Sequence, residues 1–137
     1  MPGLADTPGV ITIRALIPAA MASAATDDET PVAVLPTNAT IKAGRVIPLA
    51  AVVANVTNFT VLSVRNRGAA AAGAALPLGR SWAATNSTAF VADTMALSGT
   101  AADAVANAGD VLTVSRIHSG TGVVIPACIV EIDYVIR

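Results

Sequence analysis

The stretch CIVEIDYVIR, Cys128 to Arg137, decides the fold. Cys128, Val130, Ile132, Tyr134 and Ile136 share one parity, while Glu131, Asp133 and Arg137 share the other, among Ile129 and Val135. Successive side chains of a strand point to opposite faces, so this period predicts a strand with one core face and one wet or interfacial face. Just upstream, Val111 to His118 is β-branched and alternating, and Ser119-Gly120-Thr121-Gly122 predicts the turn between the two. The same period returns at Val10 to Ile17, where Ile11, Ile13, Ala15 and Ile17 oppose Thr12 and Arg14. It returns again at Phe59 to Asn66, where Thr60, Leu62 and Val64 alternate with Phe59, Val61, Ser63 and Arg65.

Shorter β-leaning runs fill the space between. Val32 to Leu35, Thr40 to Lys42 and Val46 to Ala54 are cut by Pro36, Asn38, Gly44 and Pro48, and Pro48 predicts an edge or a bulge. Ser81 to Val91 and Thr94 to Leu97 read as two further strands. The uncharged Ala-Gly-Pro stretch Gly68 to Gly79 is a surface loop or a strand edge packed on a neighbour, and Ala101 to Ala108 a loop or one helical turn. Ala19 to Thr30, ending in Asp27, Asp28 and Glu29, is an exposed loop, with a short helix as the alternative. Residues 1–9 carry Pro2, Gly3, Pro8 and Gly9 with no apolar period and read as an extended N-terminal arm. Many short strands without a sustained helical period predict an all-β chain, an antiparallel β-sandwich or jelly roll over residues 10–137. Ala43-Gly44-Arg45-Val46-Ile47 and Ala108-Gly109-Asp110-Val111-Leu112 both set a turn glycine and a charge before an apolar strand, as two Greek keys would, but five matched types do not make a repeat.

The composition restricts what such a domain does. At 137 residues the chain suits one core, and it is 54% hydrophobic but only 12% charged, where an ordinary soluble domain has about 25%. So few charges leave surface to be covered by protein. With aromatics at 3%, that surface is built from small contacts. A net charge of -1 offers nothing to neutralise a phosphate backbone, so nucleic acid is not an expected partner. The opening MPGLADTPGV lacks the basic and apolar regions of a secretory signal, so the expectation is a chain that stays in the cytosol where it is made. Val46 to Val64 has nearly the length of a membrane span, but Pro48, Asn55, Thr57, Asn58 and Thr60 interrupt it, and it reads as two strands and a turn.

Catalytic groupings do not assemble. The single histidine, His118, precedes Ser119, and neighbours on a strand face opposite ways, so they are poorly placed to share a proton. The lone Cys128 is expected in the core, and it excludes an intrachain disulfide. One His and one Cys do not supply a metal's ligands. Asp27, Asp28 and Glu29 lack the spacing of a calcium loop and read as solvated acid. Gly120-Thr121-Gly122 precedes a strand where a nucleotide fold needs a helix. Glu131 and Asp133 share a strand face as a glycosidase pair might require, but sugar platforms are confined to Phe59, Trp82, Phe90 and Tyr134; ion pairs to Arg65, Arg67 or Arg137 fit better. Sequons at Asn38, Asn55, Asn58 and Asn86 carry no functional weight without a secretory signal. The expectation is a non-enzyme with no catalytic residues, no cofactor and no metal.

The stretch Gly109 to Arg137, GDVLTVSRIHSGTGVVIPACIVEIDYVIR, resembles the last two strands of the small jelly-roll decoration, or cement, proteins of tailed bacteriophage heads. There an Ala-Gly-Asp turn opens a strand, a Gly-x-Gly turn and a proline follow, and an alternating acidic strand closes the chain. Ile41 to Arg67 extends the likeness more loosely, from Gly-Arg-Val-x-Pro to Arg-Asn-Arg-Gly. The resemblance implies a homotrimer on the outside of the virion's capsid, made in the host cytoplasm, that clamps major capsid proteins against internal pressure. It implies neither a nucleic-acid nor a membrane partner. Leu4, Ala5, Asp6, Thr7 and Pro8 of the arm would then contact the capsid, ordering on binding. The alternative is a tail or fibre sandwich that binds a host-surface glycan through exposed aromatics.

Overall fold

A computed structural model describes residues 9–19 and 26–137. The ten strands among them are β1 (Ile11–Ile17), β2 (Asp28–Val34), β3 (Ala39–Pro48), β4 (Phe59–Asn66), β5 (Ala75–Ser81), β6 (Asp93–Thr94), β7 (Ala96–Leu97), β8 (Val105–Ala106), β9 (Val111–Ser119) and β10 (Cys128–Ile136), with a 3-10 turn at Ala101–Ala104. They make two antiparallel sheets packed face to face. One runs β1-β10-β3-β6 with β8 also on β3, and the other runs β2-β9-β4-β5-β7. The chain is an all-β sandwich.

The alternation read from the sequence supplies the core. Ile41, Val46, Val130, Ile132 and Tyr134 point inward from the first sheet; Leu62, Val64, Leu78, Leu112 and Val114 meet them from the second. Each such aliphatic side chain contributes about 1.5–3 kcal/mol by leaving water. Trp82, wholly buried just after β5, is the largest piece of the core.

The pairings are nested. β1 pairs with β10, β2 with β9, β3 with β6 and β4 with β5, so the chain doubles back on itself from both ends. Pairing of β10 with β3 and of β9 with β4 rolls that ribbon into two layers. The two long sides of the sandwich differ. On one, the segment Asp93 to Leu97 joins β3 through β6 and β5 through β7, with Met95 buried between the sheets and its N–H donating to Gly44 O at 2.9 Å. The other side ends in β1 and β2, where Ile13, Ala15 and Val32 are only partly buried against the core.

Several expectations are corrected. Gly44 and Pro48 do not break or border a strand edge: β3 runs unbroken through Gly44 as an inner strand, and Pro48 is its last residue, opposite Cys128. Gly44 is needed because a Cβ there would lie 2.6 Å from Leu78 Cδ1 and 3.3 Å from both Glu131 O and Met95 Sδ. The bulge sits instead where Asp133 faces Ala43 and Tyr134 faces Ile41, leaving Lys42 as the extra residue. Val46 to Ala54 is strand only to Pro48, and a loop carries the chain from there to β4. Ser81 to Val91 is a loop beyond Ser81, since side chains there hold backbone that a partner strand would otherwise hold; Asn86 Oδ1 accepts from Ala54 N at 2.8 Å. The stretch Gly68 to Gly79 contributes its end to β5. Asp28 to Thr30 belong to β2 and not to a loop, while residues 20–25 of that expected loop lie outside the described residues. The arm residues Leu4, Ala5, Asp6, Thr7 and Pro8 also lie outside the described residues.

Candidate functional site

The outward face of the first sheet carries a charge ladder fixed by strand register. Arg14 of β1, Glu131 of β10 and Arg45 of β3 lie side by side, with Thr12, Asp133 and Ala43 in the next row. Arg14 donates to Glu131 Oε2 from Nε at 2.9 Å and from Nη2 at 2.6 Å, and Arg45 Nε donates to Oε1 at 3.3 Å. Asp133 accepts from Arg45 at 2.9 and 3.1 Å and from Thr12 Oγ1 at 2.7 Å. Hydrogen bonds from Arg14 and then Arg45 hold the Glu131 carboxyl below its ordinary value, and Arg45 followed by Thr12 does the same for Asp133. A general acid needs the opposite shift, so this carboxylate pair is built to stay ionised and bridge strands. Its partners are Arg14 and Arg45, not the expected Arg65, Arg67 or Arg137. Arg65 and Arg67 lie on and just after β4 in the other sheet, and Arg137 bends back to Ala39 O and Ala106 O.

The acidic run expected to be solvated is also committed. Arg116, only 3% exposed, donates to both oxygens of Asp28 at 2.8 and 2.5 Å and to Pro18 O at 2.6 Å, closing one end of the open side. Glu29 binds Arg67 and the Thr113 hydroxyl, and its carboxyl is lowered chiefly by Arg67. Asp27 accepts from His118 N at 2.9 Å and lies 2.6 Å from Nδ1; that backbone bond is the main reason its carboxyl is lowered. Asp27, Asp28 and Glu29 rim a cavity of about 310 Å³ on the outer face of the second sheet, with Arg65, Ser115 and Ile117 completing its lining. Ser115 Oγ is buried there without a hydrogen-bond partner among the described residues.

Other singled-out residues serve structure. Cys128 is fully buried, and burial pushes its thiol up to about 11, far from a thiolate nucleophile. Trp82 donates from Nε1 to Ser87 Oγ at 2.6 Å beneath the Arg80 guanidinium, and Ser87 Oγ in turn donates to Asp93. With Tyr134 also buried, neither of those rings offers a sugar platform. Gly120 and Gly122 have φ of +61° and +68° and form the turn the sequence predicts. The four sequon asparagines share one job: their side-chain oxygens accept from loop N–H groups, Asn38 from Ala108, Asn55 from Thr57 and Asn58, Asn58 from Thr121, and Asn86 from Ala54. No three His, Cys, Asp or Glu side chains converge among the described residues, and no helix there is long and apolar enough to cross a membrane.

What remains for recognition is apolar and exposed. Leu49, Val53, Val56, Phe90 and Val91 stand out from two loops at the Pro48 end of β3. Those loops are tied together by the Val52 to Ser87 bridge, by Asn86 to Ala54, and by Phe90 N donating to Pro48 O at 2.8 Å. Phe90 is 74% exposed and holds φ at +63°, a left-handed backbone that a bulky residue rarely adopts. In the sequence Phe90 is only one of four candidate aromatics, and the group is not visible there because its members come from two loops far apart in the chain. A second apolar group, Val10, Ile11 and Leu16, lies along β1. The chain matches no protein-family model, no curated protein and no solved structure.

Proposed function

We propose that this chain is a structural virion protein, a decoration or cement protein that seats on the outside of a phage head, contacts the major capsid protein and assembles with copies of itself. The observation that carries the reading is the tied pair of loops bearing Leu49, Val53, Val56, Phe90 and Val91, a group of exposed apolar side chains on a chain whose carboxylates are largely spent on internal pairs. Exposed apolar patches of this kind mark surfaces that meet protein. Support also comes from the nested strand pairing, which suits a jelly roll, a fold that viral shells use. In this reading a strained, protruding Phe90 is the anchor that fills a pocket on the capsid, and the homotrimer implied by the resemblance sits around it.

Electron microscopy of particles that carry the chain tests this. Density for the sandwich outside the shell, lost when Phe90→Ser and Val56→Ser are combined, is the expected result. Particles that lack the chain, or hold it inside the shell, overturn the reading.

A further inference from the structure

We propose that β1 is a contact between two copies of this chain, which pair antiparallel about a two-fold axis at Ile13 and so join their first sheets into one. The proposal rests on sheet edges and not on the capsid reading. An open edge presents unpaired N–H and C=O groups, and proteins blunt such edges with short strands, proline or charge. Here β6, β7 and β8 are two residues each, and β2 carries an exposed Pro31 at a break in its register. β1 is neither short nor interrupted. It is seven residues, ITIRALI, without proline, its one charge is engaged by Glu131, and among the described residues it pairs with β10 alone.

Its side chains are also left half covered. Val130 and Ile132, on the core face of β10, are at most 1% exposed, whereas Ile11 on the same face of β1 is 38% exposed and Ile13 and Ala15 are partly so. On the outward face Val10 and Leu16 are 59% and 66% exposed.

The sequence of β1 complements itself. With the axis at Ile13, the inward face pairs Ile13 with Ile13 and Ile11 with Ala15. The outward face pairs Thr12 with Arg14 and Val10 with Leu16, so the two most exposed apolar residues of the edge cover each other. Moving the axis one residue to Arg14 would set two guanidiniums directly opposite, which is destabilising. A two-fold contact of this kind doubles whatever oligomer the rest of the surface forms.

Sedimentation equilibrium of the full chain and of Thr12→Lys tests it. The introduced ammonium would lie beside Asp133 of its own chain, which favours the folded monomer, but opposite the Arg14 of a second copy. The wild type is expected in even multiples, with Thr12→Lys weakening that association about tenfold or more while the thermal midpoint of the dilute, dissociated chain does not fall. Ile13→Cys is expected to oxidise to a covalent dimer, while Leu16→Cys, which faces Val10, is not. An odd-numbered or monomeric wild type, association indifferent to Thr12→Lys, or equal cross-linking at both cysteines overturns the proposal. A monomer that still decorates particles would sink this contact and spare the capsid reading.

Discussion

Replacing Gly44 with alanine tests the packing argument most directly. The added methyl would sit 2.6 Å from Leu78 Cδ1 and 3.3 Å from Met95 Sδ and from Glu131 O. Leu78 and Met95 are 1% and 2% exposed, and β3 is held on both sides, so the leucine cannot swing away without opening a void elsewhere. Overpacking of this order costs about 1–3 kcal/mol, against which alanine recovers about 0.5–1 kcal/mol of strand propensity over glycine. A net loss centred on about 1 kcal/mol, within about 0–2.5 kcal/mol, follows. Urea unfolding should show it as a lower midpoint at unchanged slope. Leu78→Ala alone should cost about 2–5 kcal/mol through its cavity. Combined, the two should be less harmful than their sum by about 1 kcal/mol or more, because the methyl introduced by Gly44→Ala fills part of the space Leu78 vacates. A Gly44→Ala that stabilises by the full propensity gain, or strict additivity in the pair, would refute the close approach of β3 to Leu78.

Arg116→Ala strands Asp28 at the edge of the core and should cost about 3–5 kcal/mol, whereas Arg116→Met with Asp28→Leu should recover most of it; equal losses would show that the pair itself is not the source. Glu29, Glu131 and Asp133 all have carboxyls depressed in the folded state, so their stabilisation is complete above the unfolded values near 4.5 and 3.8 and is lost as pH falls through the lower folded ones. Thermal midpoints should therefore be level from neutrality to about pH 5 and drop below it. Arg45→Gln should shrink that acid drop, and a midpoint already falling between about pH 8 and pH 6 would contradict the assignment. Cys128, with its thiol pushed up to about 11 and no exposure, should resist a disulfide reagent under mildly alkaline conditions until the sandwich opens; labelling at the rate of a free thiol would disprove its burial.

The parts of the fold legible in the sequence are those whose signal is local. β1, β4, β9 and β10 announce themselves because alternation within a single short segment is enough to divide core from surface. Only the first half of β2 hid, because its Asp28 and Glu29 look solvated until Arg116 and Arg67 arrive, partners supplied from elsewhere in the sheet. Gly44 read as a break for a similar reason, since the side chain it makes room for lies in the opposite sheet. The ladder at Glu131 and Asp133 was recognisable as paired acid, but which arginines pair with it depends on strand order. Of the two surfaces proposed for recognition, β1 was visible as a strand; the joining of Leu49 and Val53 with Phe90 was not, because it rests on a bridge between two loops.

The pairing of β1 with β10 brings Ile11 opposite Tyr134, so the two ends of the domain leave from the same end of one hairpin-like pair. Tension applied between them would peel that pair open one rung at a time instead of loading all its rungs together. A tether pulled through its termini would therefore give way at low force. Strain carried across the broad faces, where both sheets share it, meets the whole ladder at once.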